Sequence, residues 1–146
     1  DAVVARKIYL CGGTETPPNH RIKKASINTT EWVEWEYCAS ATEAIKKIRK
    51  FSTLVEQKFS SSEAKRSREV QIVVIEQAAT AAPYDKFEYK LPLCLVVGHE
   101  SNGVSKEVLN LADAVVELPM FGVIKSLNVM VSLGIVLYKV IEKLKR

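Results

Sequence analysis

Apolar and polar residues follow one another along this chain in blocks that predict strands separated by helices. Short β-branched or aromatic runs indicate strands, and amphipathic stretches with a 3.6-residue repeat indicate helices. The predicted strands cover residues 7–11, 32–37, 70–76, 93–98 and 115–119. Predicted helices begin at a Ser40–Glu43 capping box, near Ser105 and at Ser126. Strands that alternate with helices favour an α/β fold, with a mostly parallel sheet and helices on both faces.

The segments between these blocks predict loops rather than domain boundaries. Residues 14–20 contain two prolines, and residues 60–68 are polar and basic. There is no internal repeat, and 146 residues are the length of one ordinary domain. The hydrophobic fraction of 47% and the charged fraction of 26% argue against a disordered chain. No apolar run reaches the ~18 residues that a membrane-spanning helix needs.

Charge and cysteine content narrow the function only slightly. The net charge of +4 permits a nucleic-acid partner without requiring one. The three cysteines, Cys11, Cys38 and Cys94, show no C-x-x-C spacing, and the two histidines lie far apart in the sequence. We therefore expect a reduced, cytoplasmic protein without a bound metal.

Three segments near the predicted strand ends carry the candidate chemistry, since ligands of parallel sheets bind at the carboxyl ends of strands. Residues 98–103 (GHESNG) lack the glycine pattern of a phosphate-binding loop, and alone they are explained more simply as a strand-to-helix turn. Residues 118–122 (LPMFG) suit either an apolar pocket wall or a buried connection. In residues 126–129 (SLNV), Ser126 is the predicted helix N-cap, and capping does not also explain Asn128.

Taken together and in this order, the three segments resemble the motifs of the SpoU/TrmH-type RNA ribose methyltransferases of the SPOUT superfamily. The resemblance is strong over residues 93–141 and weaker but continuous upstream. It implies an α/β fold whose C-terminal part forms a trefoil knot, and a homodimer with the last helix at its interface. It also implies transfer of a methyl group from S-adenosylmethionine to a ribose 2′-hydroxyl of tRNA or rRNA.

The resemblance assigns site residues by position. The residues that would contact S-adenosylmethionine are Val97, Gly98, Leu118, Pro119, Met120 and Leu127. The family's polar active-site positions correspond to Glu100, Ser126 and Asn128. Ser126 and Asn128 would orient the ribose or the loops, and Glu100 would tie the site together and bind an arginine.

That arginine is missing from the sequence. The family's first motif carries an Asn and an Arg, and the Arg is held to be central to deprotonating the hydroxyl or holding the phosphate. Asp1 aligns just past this motif, and Arg6 is too close to the first strand to replace it. We therefore expect residues 1–146 to form a single SPOUT-type domain that is truncated at its N terminus. The alternative is a non-catalytic dimer of the same fold that binds S-adenosylmethionine or RNA. A nucleotide-binding α/β domain of another kind would need phosphate-binding glycines that this sequence lacks.

Basic residues near the Pro-rich loop are the candidates for RNA contact. Arg21, Lys23 and Lys24 follow that loop on the side where the site is expected. Phosphate contact and simple solvation explain them equally well, whereas the basic residues between Lys46 and Lys50 fit a solvated helix face.

Overall fold

The computed structural model describes residues 2–27, 29–58 and 69–144. Its strands are β1 (Lys7–Cys11), β2 (Glu34–Cys38), β3 (Gln71–Ile75), β4 (Ala82–Pro83), β5 (Leu93–Val97) and β6 (Ala114–Glu117). Its helices are α1 (His20–Ser26), α2 (Ala41–Lys58), α3 (Lys106–Leu111) and α4 (Val129–Leu144). Within these ranges, no helix combines the length and the apolar character needed to cross a membrane. The loop predicted at residues 60–68 lies outside the described residues.

The chain divides into two compact units, Asp1–Lys47 and Ile48–Arg146. In the first unit β1 and β2 pair in parallel, with Lys7 opposite Glu34. The ammonium group of Lys7 lies 2.6 Å from Glu34 and 2.8 Å from Glu36, and Lys47 also pairs with Glu36. Hydrogen bonds from Lys47 and then Lys7 lower the pKa of Glu36 to about 2. The single domain expected from the sequence stays a prediction.

The second unit contains a four-stranded parallel sheet in the order β4-β6-β3-β5. Because β3 lies between two neighbours, its residues Ile72, Val73 and Val74 are fully buried. Ile75, the last residue of β3, is opposite Val97 of β5 and Val116 of β6. The carboxyl ends of these three strands therefore lie side by side. The predicted parallel arrangement is confirmed, although the described strands form two sheets rather than one.

A hydrophobic core packs α4 against this sheet. Its buried members are Val73, Ile75, Tyr89, Val116, Val136 and Val140. Val136 and Val140 are four residues apart, so they lie on one face of α4. The Tyr89 hydroxyl donates to the carbonyl oxygen of Tyr84 at 2.8 Å, and its ring meets the Phe87 ring edge-on. Burial raises the pKa of Tyr89 to about 12.

Two of the predicted helix starts are confirmed. At the start of α2, the Glu43 N–H donates to Ser40 Oγ at 3.1 Å, and the Ala39 N–H donates to the Glu43 carboxylate at 3.0 Å. These two bonds resemble the predicted capping box, except that the Glu43 carboxylate accepts from Ala39, the residue before the cap, rather than from Ser40. Ser105 caps α3, where its hydroxyl accepts the N–H of Val108.

The predicted start of the last helix is wrong. Helix α4 begins at Val129, and its cap lies two residues later than the predicted cap Ser126. Asn128 is that cap: its Oδ1 accepts the Met130 N–H at 2.9 Å, and its carbonyl oxygen accepts the Ser132 N–H at 3.0 Å. An Asn carboxamide satisfies the orphan N–H groups of a first turn as well as a Ser hydroxyl does, which explains the shift.

Helix α1 was not predicted from the hydrophobic pattern. Asn19 caps it, since its Oδ1 accepts the Arg21 N–H at 2.8 Å. None of its residues is buried, so no apolar stripe marks it in the sequence. The strand expected from Trp32 begins instead at Glu34, after a short 3-10 turn over Thr29–Glu31.

Candidate active site

A cavity of about 500 Å³ opens at the carboxyl ends of β3, β5 and β6 in the second unit. This volume lies within the range of small-molecule sites, and its place follows the rule for parallel sheets. Its lining consists of Ile75, Glu76, Gln77, Val97, Gly98, His99, Glu100, Ser101, Gly103, Glu117, Leu118, Met120, Ser126, Leu127, Asn128, Val129 and Ser132.

The structure brings most of the predicted site residues together at this cavity. Those along its wall are Val97, Gly98, Glu100, Leu118, Met120, Ser126, Leu127 and Asn128. Pro119, which was expected to line the cofactor pocket, is exposed and is not part of the cavity wall. The catalytic and cofactor-binding roles of all these residues stay predictions.

Glu76, His99 and Glu117 also line the cavity and were not singled out from the sequence. Glu76 directly follows β3, and Glu117 is the last residue of β6. The rule that ligands bind at the carboxyl ends of parallel strands applies to both carboxylates as well as to the glycine loops. Their positions at the strand ends are the sequence signal that identifies them.

The loop after β5 is closed on itself by backbone hydrogen bonds. The His99 N–H donates to the Gly103 carbonyl oxygen at 3.0 Å, and the Gly103 N–H donates to that of His99 at 2.9 Å. Inside the loop, the Ser101 N–H donates to His99 Nδ1 at 3.1 Å. A Cβ on Gly98 would lie only 2.7 Å from Gly103 O and from Val104 N. The loop therefore requires glycine at position 98.

The carboxylate of Glu76 reaches from the end of β3 to this loop. Its Oε2 accepts the Val104 N–H at 2.9 Å, and its Oε1 accepts the Gln77 N–H at 2.9 Å. The backbone N–H of Glu76 donates to the Val116 carbonyl oxygen of β6 at 3.0 Å. Gly103 has a φ of +63°, and a Cβ there would overlap Glu76 Oε2. One residue thus connects the ends of all three strands.

A second wall is supplied by the segment 118–128, which contributes Leu118, Met120, Ser126, Leu127 and Asn128 to the lining and is mostly exposed. Phe121 is 95% exposed, Val123 is 97% exposed, and Ile124 and Leu127 are also exposed. Across the parts of the chain that the structure describes, no hydrogen bond holds residues 119–127. The next hydrogen bond along the chain is made by Asn128, which caps α4.

The charge of the cavity is negative. Three carboxylates, those of Glu76, Glu100 and Glu117, line it together with the imidazole of His99. No Lys or Arg belongs to the lining formed by the described residues. Such a site favours a cationic or zwitterionic ligand over a phosphate. Within residues 2–27, 29–58 and 69–144, no cluster of three or more His, Cys, Asp or Glu could hold a metal ion.

The candidate RNA contacts belong to the first unit. Arg21, Lys23 and Lys24 lie on α1 with exposed side chains. Arg21 and Lys24 are three residues apart and share a side of this seven-residue helix, whereas Lys23 is two residues from Arg21 and does not; we call the three exposed side chains the basic surface of α1.

Comparison with known proteins identifies the family. The model of the SpoU rRNA Methylase family matches residues 1–138, and the chain belongs to that family. A tRNA (guanosine(18)-2'-O)-methyltransferase of Aquifex aeolicus is 32% identical over 120 residues, which cover 80% of this chain and 50% of the relative. The Escherichia coli K12 protein of the same name is 34% identical over 70 residues, which cover 48% of this chain and 31% of the relative. The chain thus spans half or less of the length of these relatives.

Solved structures share the fold. The SpoU methyltransferase AviRb from Streptomyces viridochromogenes, in complex with AdoMet, superposes with a TM-score of 0.76 at 20% identity, covering 97% of this chain and 51% of AviRb. The TrmH/SpoU tRNA modifying enzyme of A. aeolicus superposes with a TM-score of 0.71 at 27% identity, covering 97% of this chain and 63% of that enzyme. These likenesses confirm the mixed α/β architecture with parallel strands that the sequence predicts.

Proposed function

We propose that the chain is the cofactor-binding part of an S-adenosylmethionine-dependent RNA 2′-O-methyltransferase that acts on tRNA or rRNA. The observation that carries this proposal is the cavity at the ends of β3, β5 and β6, where residues of all three predicted motifs meet. Family membership supports it, as do relatives named for 2′-O-methylation of tRNA and a structural neighbour in complex with AdoMet.

The residues of the cavity fit S-adenosylmethionine chemically. Val97, Leu118 and Met120 offer apolar walls to the adenine, and the glycine at position 98 lets the backbone approach it closely. The negative charge of the lining, from Glu76, Glu100 and Glu117, suits a cofactor that carries sulfonium and ammonium charges. When bound, the cofactor supplies an electrophilic methyl group on sulfur.

The reaction requires the ribose hydroxyl to lie in line with that methyl group and to lose its proton. Asn128 uses Oδ1 for its helix cap, so its carboxamide nitrogen is the group that can donate to the ribose. The Ser126 hydroxyl lies on the same wall and would orient the hydroxyl from a second direction. Glu100, an exposed carboxylate at the cavity, would tie the site together by binding a guanidinium.

Family membership also supports the trefoil knot, which would form in the C-terminal part of the chain. Helices on both faces of the sheet belong to the same proposal. Knots are nearly absent from proteins outside a few families, so membership carries this part of the proposal.

A second copy of this chain is the partner that we propose for the exposed apolar surface next to the cavity. Its large exposed side chains are Phe121, Val123, Ile124, Met130, Val131 and Tyr138. Contiguous apolar patches of this kind mark interaction sites. The patch runs from the cavity wall onto α4, so a homodimer would cover the wall that lacks hydrogen bonds.

RNA binding would use the basic surface of α1, formed by Arg21, Lys23 and Lys24. Each phosphate contact adds roughly one unit to the dependence of log affinity on log salt. Replacing one of these residues with Gln is therefore expected to reduce that slope by about one unit. A cytoplasmic location belongs to the same proposal, because relatives of the chain are named for the modification of tRNA.

Methyl transfer from labelled S-adenosylmethionine to total tRNA and rRNA tests the proposal, with the ribose product identified by mass spectrometry. Ribose methylation supports the enzyme. Binding of S-adenosylmethionine without transfer would favour the second candidate, a non-catalytic dimer that binds the cofactor or RNA. A chain that binds neither the cofactor nor RNA would contradict both.

A further inference from the structure

We propose that Glu76 is a positioning residue of this site, whose carboxylate holds the 98–103 loop in the shape that receives the cofactor. The identity of the cofactor rests on the proposed function. That Glu76 holds the loop rests on its own hydrogen bonds alone. No position of the three sequence motifs includes Glu76, since it lies on the connection after β3.

Both carboxylate oxygens of Glu76 are used by the backbone. Oε2 accepts the N–H of Val104, directly after the loop, and Oε1 accepts the N–H of Gln77, both at 2.9 Å. Charge-assisted bonds of this kind are about twice as strong as neutral ones. Among the described residues, no Lys, Arg or His pairs with Glu76. Its charge is therefore stabilised by backbone dipoles rather than by a cation.

The position of Glu76 in the sheet explains why it can control the loop. It follows the central strand β3, and its own N–H is fixed by Val116 of β6. From this anchored backbone, the side chain crosses to the loop that follows β5. Movement of the Val104 N–H would change where the Gly98 backbone lies, because a Cβ on Gly98 would be only 2.7 Å from Val104 N.

Gly103 shows that the loop and the carboxylate fit each other closely. A Cβ at this position would overlap Oε2 and would lie 3.2 Å from Cδ of Glu76. The glycine therefore makes room for the carboxylate, in addition to adopting a φ of +63°. The effects of substituting the two residues should consequently depend on each other.

The same carboxylate also lines the cavity, so direct contact with a cationic ligand is the competing role. The two roles differ when no ligand is present. A residue that holds the loop affects the Val104 amide of the free protein, whereas a residue that only contacts the ligand does not. Glutamine separates them further: its NH2 group cannot accept, so one of the two backbone N–H groups would lose its partner.

Hydrogen exchange of the Val104 amide, measured by NMR without ligand, is the first test. We expect Glu76→Ala to accelerate Val104 exchange at least about tenfold, and Glu76→Gln to accelerate exchange of either the Val104 or the Gln77 amide. Glu117→Gln is the matched control, since it removes one negative charge from the same cavity without a contact to the loop. Val104 exchange in this control should equal that of the unchanged protein. Unchanged exchange in both Glu76 variants would overturn the proposal.

Calorimetry with S-adenosylmethionine is the second test. We expect Glu76→Ala to weaken binding about tenfold, in proportion to the faster exchange. Faster exchange with unchanged affinity would overturn the positioning role. Failure of the unchanged protein to bind S-adenosylmethionine would instead contradict the proposed function, and the exchange result would still decide whether Glu76 holds the loop.

A double-mutant cycle guards against variants that merely unfold. Gly103→Ala should lower the urea midpoint of the unchanged protein, because its methyl group meets the carboxylate and its φ is positive. In the Glu76→Ala background only the strain in φ remains, so the same substitution should lower the midpoint less. Equal effects in both backgrounds would contradict the contact.

Discussion

The two walls of the cavity are built in different ways. On one side, the loop after β5 is closed by its own backbone and held by Glu76. On the other side, residues 119–127 are exposed apart from the half-buried Met120 and, in the part of the chain that the structure describes, form no hydrogen bond. The first wall is complete within one chain, and the second needs something to cover it. We therefore expect both walls to contact the cofactor, and only the second to take part in the proposed homodimer.

The largest effect is expected from the addition of a single methyl group to the loop after β5. Gly98→Ala would place a Cβ 2.7 Å from the Gly103 carbonyl oxygen and from Val104 N, so the loop must open. Displacement of reacting groups by about 1 Å can lower a reaction rate about a hundredfold. We therefore expect methyl transfer from S-adenosylmethionine to be about hundredfold slower, with weaker binding of the cofactor in calorimetry.

Gly122→Ala is the matched control on the other wall. A Cβ there has no neighbour within 4 Å, so we expect unfolding free energy to change by less than about 0.5 kcal/mol. If both variants bound the cofactor like the unchanged protein, the two walls would not differ in the way described.

In the exposed segment 119–127, an added charge should weaken the proposed dimer, whereas an added methyl group should not. Val123→Asp places a carboxylate in the apolar patch, where a second copy would bury it at high cost. We expect the dimer to dissociate at concentrations more than tenfold above those that dissociate the unchanged protein, as measured by sedimentation. A monomer in both cases would remove the homodimer from the account.

Asn128 lies where the exposed wall meets α4, and its two roles can be separated. Asn128→Ala removes the cap and should cost about 1 kcal/mol of unfolding free energy. Asn128→Asp keeps the cap and the stability but loses the carboxamide donor, so methyl transfer should fall while unfolding is unchanged. Ser126→Ala should leave stability within about 0.5 kcal/mol, since Ser126 caps nothing. Full activity of Asn128→Asp would contradict the donor role.

The last prediction concerns Tyr89, in the connection between β4 and β5, and leaves the cavity unchanged. Tyr89 has a raised pKa of about 12, so its ionised form is disfavoured in the folded chain. Its contribution is therefore complete below pH ~10, the unfolded pKa, and is lost as the pH rises towards 12. Tyr89→Phe should cost about 1 kcal/mol at neutral pH through the lost hydrogen bond to Tyr84. Urea unfolding from pH 8 to 11 should show a smaller loss of stability in this variant.

The parts of the fold that could be predicted are those with a local signal. Such local signals are found in the β-branched run of β3 and in the helix caps at Ser40 and Ser105. The structure confirms all three. Helix α1 buries no residue and so lacks an apolar stripe. The start of α4 was misplaced because Ser126 and Asn128 are both good caps, and only the geometry of the chain selects between them.

For the site, the motifs located the cavity but not the contacts that shape it. Gly98, Leu118 and Leu127 could be identified from ordered segments of sequence. The bond from Val104 to Glu76 joins residues 28 positions apart, and it depends on the register that places β3 beside β5. No spacing rule along a chain predicts such a contact, since the order of strands in a sheet is a property of the whole fold.

A crystal structure of the chain grown with S-adenosylmethionine tests the central claim most directly. We predict that the ligand occupies the cavity at the ends of β3, β5 and β6, held by backbone groups of Gly98, Leu118 and Leu127. S-adenosylmethionine bound at another surface, or an empty cavity at saturating cofactor, would contradict the account.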